Sequence, residues 1–176
     1  MMEQRELEKR LDECIGLVVG PRLSWDPVNQ AMIRHWCDAM GDENPQYTDP
    51  DFAANSVAGR VVAPPTMIQA WTMAGYTGRF PPGSKGLPAG ANSHFDLLTE
   101  AGFVSVVAVN CDQEYLQPVY LGDQVSFTTM LESVSERKQT ALGEGYFTNE
   151  LYLFYNQHQQ KLVEMRFRLL RFNPPA

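Results

Sequence analysis

The sequence predicts an α+β protein in which helices and loops come first and an antiparallel sheet follows. Two observations carry this. Between residues 3 and 75 the apolar residues recur at helical spacing, whereas from Phe103 onward they alternate with a period of two. Short polar turns then separate the later runs, the mark of a meander in which a helix can lie on one sheet.

The first element expected is a helix over Glu3 to Ile15. Leu7, Leu11, Cys14 and Ile15 form its apolar stripe, and Gly16 ends it. Residues 1–16 therefore read as a charged helical extension that packs on the rim of the domain or on a partner, and residues 17–176 as one domain. Leu17 to Trp25 reads as a strand broken at Gly20-Pro21. Asp26-Pro27 has the chemistry of a helix start, a carboxylate for the free N–H groups with proline at the first turn. Ile33, Trp36, Ala39 and Met40 would be the buried face of that helix, and Gly41 its end.

Asp42, Asn44 and Tyr47 occupy the loop that follows. They are the residues any turn favours, and they are also polar groups that could point into a cleft. Asp42 sits just past a helix C-terminus, where the dipole disfavours a carboxylate, so it is either well hydrogen-bonded or raised in pKa. Asp49-Pro50 marks a short helical turn. Gly59 to Ala63 is extended, and Pro64-Pro65 can begin a helix but not lie inside one. Met67, Ala70, Trp71 and Ala74 give that helix an apolar stripe ending near Gly75 or Gly78, and the scarcity of charge there predicts burial on most sides. Phe80 to Asn92, crowded with Gly and Pro, is a long loop of a length often given to lids or partner contacts.

Strands are expected at Phe103 to Asn110, Gln113 to Tyr120, Gln124 to Val134, Gly145 to Tyr155 and Lys161 to Phe172. In the last, Val163, Met165, Phe167 and Leu169 face in. Hairpin connections fall at Ser135 to Gln139 and Asn156 to Gln160.

Composition narrows the function. The net charge of -7 argues against a nucleic-acid surface. The charged start is no signal peptide, no apolar run is long enough for a bilayer, and three widely spaced cysteines form no disulfide framework. A cytoplasmic protein with Cys14, Cys37 and Cys111 as small apolar residues is the expectation. His35 and His158 read as solvent-side, His94 as a loop residue able to reach a site, and their wide spacing predicts no metal. The Met67, Met73 and Trp71 stripe suits a core or the wall of an apolar tunnel equally well.

Gly41-Asp42-Glu43-Asn44-Pro45, then Asp49-Pro50 and Phe52-Ala53, then Gly59 to Met67, resemble the MaoC-type (R)-specific enoyl-CoA hydratases and dehydratases. Asp112-Gln113-Glu114-Tyr115, Pro118-Val119 and Gly122-Asp123, within Val109 to Val125, are similar to the strand–turn–strand that follows in those proteins. The resemblance runs from about Leu23 to Phe172. It implies the hotdog fold, an antiparallel sheet wrapped around one central helix, here Pro65 to Gly75. It implies water addition across the α,β double bond of an acyl-CoA thioester, with no cofactor besides that substrate.

In the active family pattern an Asp and a His move the proton, and a glycine N–H at the helix start stabilises the enolate oxygen. Here the Asp and Asn positions are Asp42 and Asn44, but the His position is Tyr47. The helix start reads Pro64-Pro65-Thr66, and proline has no N–H to donate. Such departures resemble the FAS1-like, non-catalytic subunit of heteromeric dehydratases. The chain is then expected to accommodate a bulky acyl group, long-chain or steroid, with Pro65, Thr66, Met67 and Trp71 binding it. A partner hotdog subunit would supply the Asp/His loop in a heterodimer or heterotetramer. Asp42, Asn44 and Tyr47 would be a relic catalytic pocket. The alternatives are a self-sufficient hydratase using Asp42 and a non-enzymatic acyl-CoA binding module.

Overall fold

The computed structural model describes residues 3–174. Six strands form one antiparallel sheet: β1 (Val18–Leu23), β2 (Ser105–Tyr115), β3 (Ser126–Val134), β4 (Lys138–Thr140), β5 (Gly143–Tyr155) and β6 (Lys161–Asn173). Their order is β1-β3-β5-β6-β2, with β4 paired to β5. The alternation expected in the last strand holds: Val163, Met165 and Leu169 are buried while Arg166 and Arg168 are exposed. The two runs expected at 103–110 and 113–120 are one strand, β2. A single irregularity between Ala108 and Asn110 absorbs the break in the alternation, and Pro118 lies beyond the strand's end.

Helix α1 (Gln4–Asp12) buries Leu7 and Leu11 and packs with Cys14 on the sheet's Leu131 and Tyr146. Its apolar stripe is buried against the domain's own sheet; residues 1–2 and 175–176 of the two expected segments lie outside the described residues. Helix α2 (Gln30–Met40) starts later than the Asp26-Pro27 signal suggested. Asn29 is its N-cap, accepting from the Met32 N–H at 3.0 Å. The segment before it stays extended because Val28 exchanges hydrogen bonds with Gly122 and Asp123, both 2.8 Å. Its buried face is Ile33 and Cys37, with Trp36 half-buried; Ala39 and Met40 are exposed, since the core ends one turn earlier. Gly41 ends it in the left-handed region, φ 65°.

Two short helices follow, α3 (Pro45–Thr48) and α4 (Pro50–Ala54). Asp49 caps α4 as its sequence predicts, accepting from the N–H groups of Asp51 and Phe52 at 2.9 and 3.0 Å.

The central helix is shorter than the apolar stripe implied. A 3-10 turn at Pro65–Met67 leads into α5 (Ile68–Trp71), and the chain leaves helical geometry at Thr72, φ -117°. Thr72 tightens the last turn by donating its N–H to the Gln69 carbonyl at 3.1 Å. Burial is one-sided: Met67, Ile68 and Trp71 face the sheet, while Thr66 and Gln69 are exposed. From Thr72 to Asn92 there is no regular element, and this long loop is stitched to β1 by Lys85 N–H to Pro21 O at 2.7 Å and Leu23 N–H to Ser84 Oγ at 3.0 Å.

One helix was not anticipated, α6 (His94–Glu100), opened by Ser93 as N-cap. Buried Arg171 holds its far end, donating to the Phe103 carbonyl at 2.8 Å and to Thr99 Oγ1 at 2.8 Å.

The core is in two parts on the same face of the sheet. One gathers Ile33, Met67, Ile68 and Trp71 on Phe127, Phe154, Val163 and Met165. The other gathers α1 and α6 on Leu131 and Tyr146. Cys14 and Cys37 are buried, whereas Cys111, expected to be a small apolar residue, lies exposed on β2.

Candidate functional site

One side-chain oxygen each of Asp42 and Asn44 is used within the turn. The Asp42 Oδ1 accepts the Asn44 N–H at 3.1 Å, and the Asn44 Oδ1 accepts the Gln46 N–H at 3.0 Å, capping α3. Tyr47 is different. It is half-buried and packs against the core beside α5. Burial first, and then the Asp42 carboxylate, push its phenol above the usual tyrosine value, with the Asn44 side chain pulling the other way. The phenol is thus protonated throughout the neutral range, and it can donate a hydrogen bond but not act as a base.

Tyr47 and Pro65, from two separate stretches of sequence, meet on the wall of one apolar cavity of about 290 Å³. Gln46, Ala63, Tyr115, Gln117 and Val119 are among the other residues that line it. The walls are tied together by backbone: Ala63 donates to the Val119 carbonyl at 2.8 Å, and Val62 bridges Tyr120. Leu116 and Gln117 both donate to the Leu162 carbonyl, at 2.8 and 3.2 Å. Among the described residues no histidine, carboxylate or lysine lines this cavity. At its helix end Pro64 and Pro65 present no N–H, so the first amide available there belongs to Thr66.

The other expected binding residues divide. Thr66 is exposed. Met67 and Trp71 lie in the core, 1% and 5% exposed, rather than on the cavity wall. Trp71 Nε1 is nevertheless the only buried side-chain nitrogen or oxygen without a hydrogen-bond partner among the described residues. Asp42 and Asn44 also lie off that wall. Among the described residues no group of three His, Cys, Asp or Glu is placed to hold a metal ion, and no helix is long and apolar enough to cross a membrane.

Sequence reading placed Tyr115 in the Asp112-Gln113-Glu114-Tyr115 run of the resemblance without giving it a site role, and it missed Gln117 and a buried polar cluster on β5. His94 heads α6 and meets Glu150 there at 3.1 Å, and the Tyr152 hydroxyl donates to the other Glu150 oxygen at 2.8 Å. A signal for it existed. The inward phase of β5 reads Tyr146, Thr148, Glu150, Tyr152, Phe154, which puts an acid where the alternation calls for an apolar residue.

The family described as FAS1-like, dehydratase domain region matches residues 15–165. Among curated relatives, the probable enoyl-CoA hydratase alpha subunit of Thermomonospora curvata is 42% identical over 174 residues, covering 98% of this chain and 54% of that protein. The 3-oxo-4,17-pregnadiene-20-carboxyl-CoA hydratase alpha subunit of Mycobacterium tuberculosis is 45% identical over 154 residues, covering 88% and 48%. The chain thus spans about half the length of these curated relatives. Among solved structures, a chain of the ChsH1-ChsH2 complex from Mycobacterium tuberculosis superposes with a TM-score of 0.84 at 39% identity, covering 97% of this chain and 98% of that one.

Proposed function

The chain belongs to the FAS1-like dehydratase family, MaoC-like proteins of the hotdog fold, and on that premise we propose that it is the substrate-accommodating subunit of a heteromeric enoyl-CoA hydratase. Its partner, a second hotdog subunit, carries the Asp/His loop and adds water across the double bond of a bulky acyl-CoA. One observation carries this reading. Where the chemistry calls for an imidazole and a free amide, this chain places the protonated phenol of Tyr47 and Pro65, which has no N–H, both at one apolar cavity. Such a cavity can shape a hydrophobic chain, and it has no group of its own to take up a proton near neutrality.

Two further features support it. Relatives over nearly the whole chain are named alpha subunits, and one of those names specifies a steroid-type acyl group. The β2 edge of the sheet has no partner strand among the described residues. The 72–92 loop is hydrogen-bonded to β1 at Pro21 and Leu23, whereas β2, eleven residues long, is hydrogen-bonded to β6 on one side only. It exposes Val106, Val107 and Val109, as an edge awaiting a second sheet would.

The test is co-expression with a MaoC-type hotdog chain that has an intact Asp/His loop, followed by loss of enoyl-thioester absorbance. The chain alone is expected to be inert, and a co-purified heterodimer or heterotetramer active. Turnover by the isolated chain at the rates of complete hydratases, abolished in Asp42→Ala, would favour a self-sufficient enzyme. Failure of any hotdog partner to co-purify would favour a binding module.

A further inference from the structure

From Phe52 to Phe95 the chain carries no Asp or Glu, although it has 21 of them in all. The full cations of that stretch are Arg60, Arg79 and Lys85, so a chain of net charge -7 contains one segment of the opposite sign. Such a segment favours anionic ligands at its own surface.

Arg79 and Lys85 lie exposed on the 72–92 loop. Arg60 is held more firmly. Its guanidinium lies over the Tyr120 ring, 3.8 Å from the centroid. Tyr120 is fixed in turn by its bridge to Val62 and by its N–H, which donates to the buried Asp123 carboxylate at 2.8 Å. Among the described residues no carboxylate pairs with Arg60, and no hydrogen bond engages its guanidinium. The ring occupies the guanidinium's face and leaves the N–H donors at its edge, in the fork that matches a phosphate.

Arg60 also lines a hollow of about 280 Å³, near the lower end of small-molecule sites, about 300 Å³. Pro50, Ala54, Val61 and Leu121 supply apolar wall, and Gln30 is the other polar side chain. Gln30 donates its amide to the Tyr47 carbonyl at 2.9 Å and keeps its Oε1 as an acceptor. The hollow thus offers an apolar wall for a flat ring, an acceptor for an amine on that ring and a guanidinium for a phosphate. An adenine nucleotide carries all three groups.

The hollow adjoins the apolar cavity of Tyr47 and Pro65. One extended segment separates them: Val61 lines the hollow, and Val62 and Ala63 line the cavity. Two side-chain amides tie the two walls together. Gln30 reaches from the hollow to the Tyr47 carbonyl, and Gln46 reaches from the cavity to the Arg60 carbonyl at 2.9 Å.

We propose that the Arg60 hollow holds the phosphorylated adenosine end of coenzyme A, so that this chain grips the carrier as well as accommodating the acyl group. The assignment rests on the acyl-CoA reading proposed above and names the part of the thioester held here.

The test is calorimetric titration of the full chain, without a partner, using coenzyme A, its bisphosphorylated adenosine fragment, pantetheine and inorganic pyrophosphate. Coenzyme A and the adenosine fragment are expected to bind at least about tenfold more tightly than the other two. Arg60→Ala is expected to weaken both by about tenfold, the loss of a charged hydrogen bond. Lys85→Ala, which removes a cation away from the hollow, should stay within about twofold. Thermal melts establish that each variant is folded, and Arg60→Gln, which keeps the stem without the charge, decides the matter if Arg60→Ala does not fold. Absence of binding, pantetheine or pyrophosphate binding as tightly as coenzyme A, unchanged affinity in the folded Arg60 variants, or an equal loss in Lys85→Ala would each overturn the proposal. Neither turnover nor a partner enters this measurement. An inactive heteromer whose chain still binds coenzyme A through Arg60 would count against the hydratase role alone.

Discussion

At the scale of single residues, two tyrosines show how position rather than type sets chemical role. Tyr47 stands where a proton-transferring imidazole is expected, and its surroundings move it further from that role by raising its pKa. Tyr146, 0% exposed in the α1–α6 core, is pushed up to about 12, by burial first and then by Glu8, whose carboxylate lies 3.4 Å from its hydroxyl. The unfolded chain releases this proton near pH ~10, while the folded chain keeps it until about 12. Stability from this site is therefore complete below the unfolded value and is lost as pH rises through the folded one. The melting temperature is expected to fall across that alkaline window, and Tyr146→Phe to make the fall shallower in a pH series of thermal melts. An equal fall in the variant would assign the loss to other groups.

The elements separate local from tertiary control. Asp49 and Asp26 carry the same Asp-Pro signal, yet only Asp49 caps a helix. The difference lies outside both dipeptides: Val28 is held extended by Gly122 and Asp123, so α2 starts at the next capping residue, Asn29. Asp49→Ala and Asn29→Ala are each expected to cost about 1 kcal/mol in urea denaturation. Asp26→Ala should stay within about 0.5 kcal/mol, as for an ordinary surface site; a cost equal to that of Asn29→Ala would restore Asp26 as the cap. Helix α5 teaches the same point at its other end. The stripe through Met67, Ala70, Trp71 and Ala74 is genuine helical spacing, but the helix stops at Trp71, and Thr72 and Ala74 beyond it line a separate cavity with Phe127 of the sheet. Helix α6 was legible only in part. Ser93 followed by Asp96 and the Leu97-Leu98 pair is a helix start, overshadowed by the Gly/Pro-rich run immediately before it.

For the whole molecule, the sheet's two edges are treated differently. β1 is tied to the 72–92 loop at Pro21 and Leu23, and β2 is left open with valines on it. Val106, 55% exposed, makes a clean probe. Val106→Glu is expected to leave the melt of the isolated chain within about 0.5 kcal/mol while weakening co-elution with a hotdog partner in gel filtration. Unchanged co-elution would move the interface elsewhere.

The residues alone determined the α+β class, the strand phases, the glycine stop at Gly41 and the two substitutions, Tyr47 and Pro64-Pro65, on which the functional reading turns. These are local matters: backbone propensity, side-chain period, and the presence or absence of a titratable ring or an N–H. Where α2 begins, how short the central helix is, that Tyr47 and Pro65 share one cavity and that His94 meets Glu150 from 56 positions away in the chain were decided by the tertiary structure. Each depends on which distant backbone or side chain is present to pair with a group, and a one-dimensional pattern carries no record of that pairing.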